Sequence, residues 1–278
     1  MIHKTCIIDS KAKISKTAKI GPYTIIGPNV EIDDEVAIHS HVNITGYTKV
    51  GAETKIFPFA SIGTQPQDLK YKDEKNSLVI GKNNIVREYV TINPGTAGGG
   101  GTTIIGDKCL FMISSHIAHD CKIGNDVVIA NNVPLGGHVV IEDGVIIGGN
   151  SAVQQFTRIG RLAMIGGMTG VLKDVIPFGL SFGNRNYLKG INLIGLRRNK
   201  YENKKISKAY SFKTYKNGIE FVQKIAELAE KNNHHPDIYI GWCNVYISIT
   251  SHDLGGVTTN CVNLATGIDH IFEKHIER

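Results

Sequence analysis

The chain has 278 residues, of which 41% are hydrophobic and 20% are charged, and its formal net charge is +6. This length fits one large domain with a small appendage, and the apolar fraction is too high for a disordered chain. No apolar run approaches the roughly 20 residues of a membrane span, and the first residues carry no apolar signal core. We therefore expect a cytoplasmic protein without a membrane span. No block of Lys and Arg is dense enough to indicate nucleic-acid binding.

The first predicted element is a ladder in which Ile or Val recurs at every sixth residue from Ile8 to Ile62. The same register resumes at Ile80 and again at Ile105, from where it continues to Val171. A second column, four residues after the first, holds small or β-branched residues. A period of six does not match the 3.6 of a helix, but it is a multiple of the two of a strand. The ladder therefore predicts a parallel β-helix with three hexads per coil, in which residues about 18 apart lie above one another.

Two stretches interrupt the ladder, Thr64 to Leu78 and Gly95 to Thr102. Residues inserted between hexads must leave the coil, so both stretches are predicted to form outward loops. Long loops on a regular scaffold are typical of functional sites.

We divide the chain into a β-helix over residues 1–177, a bridging segment over 178–201, a helical C-terminal domain over 202–233 and a tail over 234–278. The helical prediction depends on apolar residues that recur at three and four, with Gly218 separating two helices. In the tail, a strand over 242–250 and a short helix over 268–276 are the only suggestions of structure.

Polar residues interrupt the ladder in one region, where His116, His119 and Asp120 are followed by His138. His119 and His138 are 19 residues apart, nearly one coil, so we expect them to be neighbours. Three interpretations remain open at this point. His119 is a general base that deprotonates an alcohol, the three imidazoles form a zinc site, or the histidines have no role.

Several motifs resemble one known family, the UDP-N-acetylglucosamine O-acyltransferases of lipid A biosynthesis. The resemblance is carried by the hexad ladder, by Gln-Asp-Leu-Lys-Tyr at 67–71, by His-Ile-Ala-His-Asp-Cys at 116–121 and by Ile-Asn-Leu-Ile-Gly-Leu-Arg-Arg at 191–198. It implies an all-β fold class, a left-handed parallel β-helix of hexapeptide repeats with a small C-terminal α-helical domain. It also implies a homotrimer with sites between subunits.

The family resemblance implies a role for each matching residue. His119 resembles the base that takes the proton from the 3-hydroxyl of the glucosamine in UDP-N-acetylglucosamine. That oxygen attacks the thioester of a 3-hydroxyacyl group on acyl carrier protein. Asp120 would support the imidazole, and the backbone N–H of Gly137 resembles the oxyanion donor. No metal or cofactor is required, because the thioester is already a reactive donor.

The remaining residues implied by the resemblance bind substrate. Those for the sugar nucleotide, the thioester arm and the acyl cleft are Gln67, Asp68, Lys70, His116, His138, Gln154 and Gln155. Asn192 and Arg198 match contacts to the uridine diphosphate, and Met164 and Gly167 fall where the family measures acyl length. The sequence departs from the family pattern at Asn93, Gln154, Ile194 and Asn199.

Other functions remain alternatives. One is a different hexapeptide-repeat N- or O-acyltransferase, such as the enzyme that N-acylates glucosamine later in the same pathway. The others are a β-helical zinc carbonic anhydrase and a non-catalytic β-helical scaffold.

Overall fold

The computed structural model describes residues 1–192, 205–251 and 257–276. The chain divides into two compact units, Met1–Asn192 and Leu193–Arg278. In the first unit three sheets of short strands run the length of a parallel β-helix. Partners on successive coils lie 18 residues apart, as in the pair Ile7 and Ile25, which confirms the predicted coil length.

Each sheet collects every third strand of the chain. The first holds β1 Ile7–Ile8, β4 Ile25–Ile26, β7 Asn43–Ile44, β10 Ser61–Ile62, β13 Thr91–Ile92, β16 His116–Ile117, β19 Pro134–Leu135, β22 Ala152–Val153 and β25 Gly170–Val171. The second holds β2 Lys13–Ile14, β5 Glu31–Ile32, β8 Tyr47–Val50, β11 Ser77–Ile80, β14 Thr102–Ile105, β17 Lys122–Ile123, β20 Val140–Ile141 and β23 Arg158–Ile159. The third holds β3 Lys19–Ile20, β6 Ala37–Ile38, β9 Lys55–Ile56, β12 Ile85–Val86, β15 Leu110–Phe111, β18 Val128–Ile129, β21 Ile146–Ile147, β24 Met164–Ile165, β26 Gly179–Phe182 and β27 Tyr187–Ile191.

The hexad pattern forms this fold because the large aliphatic residue of each hexad points into the coil. Ile44, Val50 and Ile56, one from each sheet, are fully buried. Between strands the backbone turns through residues with positive φ, such as Phe59 at 65° and His138 at 62°. Cys109 and Cys121 belong to the buried core, as their place in the column of small residues predicts.

The two interruptions of the ladder are insertions into the coil. Val50 pairs with Ile80, 30 residues on, and Ile80 pairs with Ile105, 25 residues on. The next pair, Ile105 and Ile123, returns to 18. The extra residues leave the rod, and Leu69 at the tip of the first insertion is fully exposed.

The β-helix ends later than predicted. The strands β26 and β27 lie inside the segment 178–201 that we predicted to be a bridge. β26 adds to the third sheet by pairing Ile165 with Ser181, and β27 then pairs antiparallel to β26. The aliphatic hexad stops near Pro177, but the free edge of β24 still offers backbone hydrogen bonds to the next segment.

The second unit combines a three-stranded antiparallel sheet with two helices. Its elements are β28 Ile206–Ser211, α1 Tyr215–Asn232, β29 Asp237–Gly241, β30 Asn244–Ile249 and α2 Thr259–Ile276. They share one core, whose fully buried members include Phe221, Val245 and Leu264. The tail over 234–278 is therefore part of a folded unit, with a strand and a helix close to the two suggested by the sequence. Among the described residues, no helix has the length and apolar character that crossing a bilayer requires.

The prediction of a helix around Ile206 and Tyr210 is wrong, because these residues form β28 and pair with β30. Apolar residues at 206 and 210 satisfy both a helical and an alternating pattern, and the partner strand decides between them. Gly218 does not separate two helices either. It lies within α1, which begins after the N-cap Thr214, and it packs against Phe212 and Val245.

Candidate active site

The histidines meet at the corner between the first and second sheets, where two columns of residues stack at the 18-residue repeat. One column holds His119, Gly137 and Gln155, and the other holds Asp120, His138 and Phe156. Backbone hydrogen bonds hold the coils together here, with the His138 N–H donating to the carbonyl of His119 at 3.0 Å. The hexad spacing thus brings the predicted base, oxyanion donor and supporting carboxylate to one place.

His119 and Asp120 form a hydrogen-bonded pair. The Nδ1 atom of His119 lies 2.8 Å from Oδ2 of Asp120, whose side chain is fully buried. Burial alone would raise the pKa of Asp120, but hydrogen bonds from Thr96 and His119 outweigh it and hold this pKa below its ordinary value. An ionised Asp120 accepts the Nδ1 proton and leaves Nε2 of His119 as the free basic nitrogen.

Gly137 lies directly against the imidazole of His119. A Cβ atom at position 137 would lie 2.7 Å from Nε2 and 2.6 Å from Cε1 of that ring. The ring can occupy this place only because residue 137 has no side chain. The base and the predicted oxyanion donor are therefore neighbours.

His138 joins the pair from the next coil. Its ring lies edge-on to that of His119, with centroids 5.1 Å apart, and stacks on Phe156 at 4.4 Å. Its Nε2 is 4.0 Å from Oδ2 of Asp120. The stack fixes the plane of His138 and leaves it half-buried at the edge of a cleft.

His116 lies one strand earlier and has a different environment. Its Nδ1 atom is 2.7 Å from the hydroxyl of Thr91. Burial, and then the nearby His119, lower the pKa of His116, so this ring stays neutral at physiological pH.

The zinc alternative requires three imidazoles to converge. The atoms that converge within 4.8 Å of one another belong to His119, Asp120 and His138, and His116 is not among them. The carboxylate of this group already accepts hydrogen bonds from Thr96 and His119. This cluster offers two imidazoles and one carboxylate, which differs from the three-histidine set of the alternative.

A cleft of about 710 Å³ extends from His138 to the two inserted loops. Residues that line it are Asp68, Lys70, Lys72, Glu74, His138 and Phe156. Of the residues predicted on the first loop, Asp68 and Lys70 thus face the histidines. Oδ1 of Asp68 accepts a hydrogen bond from the backbone N–H of Lys70 at 3.0 Å, which shapes the tip of the loop. Gln67 is exposed and is not among the residues that line the cleft.

Other predicted binding residues lie on the rod further along. Gln154 and Gln155 are exposed, and Gln155 continues the column above Gly137. Met164 is half-buried in β24, and Gly167 is exposed at a corner where Gly149 approaches it closely. Neither lines the cleft within one chain, so a role in measuring acyl length stays a prediction.

The two predicted nucleotide contacts differ in what the structure shows. Asn192 is buried, and its Nδ2 donates to the carbonyl of Leu162 at 2.9 Å. This bond ties the end of β27 to the rod, and contact with a nucleotide stays a prediction. Arg198 lies outside the described residues, as do Ile194 and Asn199.

Asn93, one of the departures from the family pattern, has a clear place. It is buried, and its Nδ2 donates to the carbonyls of Thr64 and Gln65 at 3.1 and 3.3 Å. The side chain therefore anchors the base of the first inserted loop.

Two histidines of the second unit escaped the sequence analysis. His234 and His235 follow Asn233, which ends α1 in the left-handed conformation with φ of 45°. Nε2 of His234 lies 3.1 Å from Sγ of Cys261, and Nε2 of His235 lies 3.1 Å from a carboxylate oxygen of Glu230. The adjacent pair of histidines before Pro236 was a visible signal, but the absence of a ladder or clear helix around it concealed its context.

Comparison with known proteins gives the family of the chain. The family model "Bacterial transferase hexapeptide (six repeats)" matches residues 102–137. The acyl-[acyl-carrier-protein]–UDP-N-acetylglucosamine O-acyltransferase of Helicobacter pylori is 51% identical over 197 residues, which cover 71% of this chain and 73% of the relative. The chain belongs to this acyltransferase family.

Further members of the family agree. The O-acyltransferase of Paracoccus denitrificans is 52% identical over 143 residues, which span 51% of this chain and about half, 55%, of the relative. The crystal structure of the UDP-N-acetylglucosamine O-acyltransferase of Moraxella catarrhalis is 40% identical, with a TM-score of 0.70 over 83% of this chain and 91% of that one. The first unit thus has the left-handed parallel β-helix of the acyltransferase family.

A second family model matches a different part of the chain. The model "Pterin 4 alpha carbinolamine dehydratase" matches residues 195–271, which include nearly all of the second unit and the His234–His235 pair. The sequence analysis did not anticipate this likeness.

Proposed function

We propose that the chain transfers a 3-hydroxyacyl group from acyl carrier protein to the 3-hydroxyl of the glucosamine in UDP-N-acetylglucosamine, the first step of lipid A biosynthesis. Membership of the acyltransferase family and the names of the relatives support this assignment. The observation that carries it is the placement of His119, with Nδ1 on Asp120 and Nε2 beside Gly137. A cytoplasmic location remains a prediction.

In the proposed reaction the imidazole of His119 takes the proton of the sugar hydroxyl as the oxygen attacks the thioester carbon. The new C–O bond forms, and the C–S bond then breaks as the carrier thiol leaves with a proton. Asp120 stabilises the imidazolium, because its carboxylate is ionised and 2.8 Å from Nδ1. The N–H of Gly137 is the donor proposed for the oxyanion, a contribution of about 3 kcal/mol in comparable sites.

The cleft suits an anionic substrate. Lys70 and Lys72 line it opposite the stacked rings of His138 and Phe156. Ammonium groups pair with the phosphates of a sugar nucleotide, and an apolar ring face suits an acyl chain or a sugar ring. We accordingly assign Gln67, Asp68 and Lys70 to the recognition of substrate.

We infer that the chain assembles as a homotrimer with the site completed by a neighbouring subunit. Along one corner of the rod the rings of Tyr23, His41, Phe59 and Tyr89 stack in sequence at 5.0 to 5.2 Å. Tyr23, Phe59 and Tyr89 are about half exposed in the single chain. A continuous exposed aromatic column is typical of a surface that another subunit covers.

The test is acyl transfer by the full chain, assayed with UDP-N-acetylglucosamine and 3-hydroxyacyl carrier protein. The variant His119→Ala should lose several orders of magnitude in kcat, because the base is removed. His270→Ala, which removes an exposed histidine of the second unit, should match the parent. Full activity of His119→Ala would refute the mechanism, and transfer only to an amine acceptor would favour an N-acyltransferase. Hydration of CO₂ with stoichiometric zinc would favour the carbonic anhydrase.

The match of residues 195–271 supports a second activity, the dehydration of a pterin 4a-carbinolamine by the second unit. In such a reaction the C–O bond of the carbinolamine carbon breaks and the hydroxyl leaves as water with a proton from an acid. A base removes the proton of the adjacent nitrogen as the C=N bond forms. His234 and His235 offer two adjacent imidazoles for these transfers, one beside a thiol and one beside a carboxylate.

The two activities can be separated in the full chain. The variants His234→Ala and His235→Ala should slow carbinolamine dehydration, followed by the absorbance of the dihydropterin product, and leave acyl transfer intact. His119→Ala should do the reverse. No acceleration of dehydration by the parent protein would refute the second activity and leave the first untouched.

A further inference from the structure

The second inserted loop, residues 95–102, reaches the catalytic pair from outside the coil. The backbone N–H of Thr96 donates to Oδ1 of Asp120 at 2.9 Å, and its hydroxyl donates to Oδ2 at 2.6 Å. Thr96 itself is buried. One residue of the loop therefore holds both oxygens of the carboxylate.

The hydroxyl of Thr96 is free for this task because it does not cap its own helical turn. Thr96 is the N-cap of the 3₁₀ turn Ala97–Gly99, yet its side chain makes no capping hydrogen bond. A threonine at such a position ordinarily accepts a hydrogen bond from the turn. Here the side chain donates to Asp120 instead, which indicates that its conformation serves the carboxylate.

Gly99 closes the other side of the carboxylate. A Cβ atom at this position would lie 1.9 Å from Cγ of Asp120 and 2.2 and 2.3 Å from its two oxygens. The glycine backbone therefore lies in contact with the carboxylate, and any side chain would displace it. The loop excludes water from Asp120 while Thr96 supplies the hydrogen bonds that water would otherwise make.

The loop is itself fixed to the rod. Nδ2 of Asn76 donates to the carbonyl of Gly95 at 2.6 Å, and the N–H of Ser77 donates to the carbonyl of Gly101 at 2.8 Å. Within the loop the N–H of Gly101 donates to the carbonyl of Thr96 at 2.8 Å. Thr96 is thus held at both ends of the loop, which makes its two donors a rigid reference for Asp120.

We propose that Thr96 is the positioning residue of the catalytic pair. It fixes the carboxylate of Asp120 so that Oδ2 faces Nδ1 of His119, which selects the tautomer with Nε2 free to accept the substrate proton. Thr96 does not touch the substrate proton and acts only through Asp120. This inference rests on the proposed acyl transfer.

The first test compares Thr96→Val, which keeps the shape and the N–H but removes the hydroxyl, with Thr96→Ser, which keeps the hydroxyl. Steady-state acyl transfer should show kcat lowered about 10- to 100-fold in Thr96→Val with KM for both substrates unchanged, because orientation of the base is lost. Thr96→Ser should recover most of kcat. Equal losses in both variants, or a loss confined to KM, would overturn the proposal.

A double-mutant cycle separates positioning from a general effect on folding. If Thr96 acts through Asp120, adding Thr96→Val to Asp120→Asn should change kcat less than twofold. Additive losses would mean that Thr96 acts by another route and would overturn the proposal.

Gly99→Ala supplies an independent perturbation of the same carboxylate. It should lower kcat as Thr96→Val does, whereas Gly190→Ala, which adds a methyl group where no atom lies within 4 Å, should match the parent. A parent protein without acyl transfer would refute the proposed function. An active parent whose Thr96→Val and Gly99→Ala variants keep full kcat would refute only the role of Thr96.

Discussion

The imidazole of His119 occupies the space that a side chain at Gly137 would fill, with Nε2 only 2.7 Å from the position of the missing Cβ. Two residues 18 apart in sequence are therefore in direct contact, one coil above the other. This relationship places a basic nitrogen beside a backbone N–H in a groove that a substrate can enter.

Gly137→Ala should abolish most acyl transfer because the new methyl group displaces the ring of His119. We expect kcat to fall about 100-fold, the usual scale for a misplacement near 1 Å. The control is Gly27→Ala, in the same type of coil, where a Cβ would meet its nearest neighbour at an ordinary 3.4 Å. Retention of full activity by Gly137→Ala would show that the ring is free to move elsewhere.

Asp120 should make the stability of the first unit depend on pH. Its pKa is lower in the folded chain than in the unfolded one, so the folded state binds the proton less readily. The stabilisation is therefore complete above the ordinary pKa of about 4 and is lost as pH falls through the folded value.

The measurement is the free energy of unfolding of parent and Asp120→Asn from pH 7 to pH 2. The variant should be less stable by about 1–3 kcal/mol at pH 7, the scale for losing a buried hydrogen-bonded partner. The difference should shrink at the acidic end. A difference that is constant over the whole range would show that the charge of Asp120 does not matter.

The aromatic column predicts the oligomeric state. Phe59→Lys places a charge in the middle of the stack between His41 and Tyr89, so trimers should dissociate because the charge would be buried. Sedimentation velocity reports the mass directly. Tyr239→Lys, on an exposed aromatic residue of the second unit, is the control and should sediment as the parent does. A trimer that survives Phe59→Lys would exclude this corner from the subunit interface.

The core cysteines should resist modification in the native state. Burial raises the pKa of Cys109 to about 11 and that of Cys121 to about 12, so neither forms the reactive thiolate at pH 8. A thiol reagent should label the half-buried Cys6 and Cys243 first and reach the buried thiols only after denaturant is added. Rapid labelling of Cys121 in the native protein would indicate that the coil beside Asp120 opens.

The sequence alone predicts the rod and its central contact. Aliphatic residues at every sixth position can be buried only if the chain turns after each short strand, so the period determines the coil length of 18. That length in turn predicts that His119 and Gly137 are stacked, and the structure shows this contact. The loops at Thr64 and Gly95 were also predicted, because a break in the period has no place inside the coil.

The partners that orient the site depend on the tertiary structure. Thr96 lies in a glycine-rich stretch without any period, so nothing in its sequence neighbourhood indicates that it donates to Asp120, 24 residues away. The segment at Ile206 could be helix or strand from its own apolar pattern, and only the pairing with β30 made it a strand. Local periodicity determines structure where each repeat supports the next, whereas loops and mixed sheets are determined by contacts between residues that no sequence spacing relates.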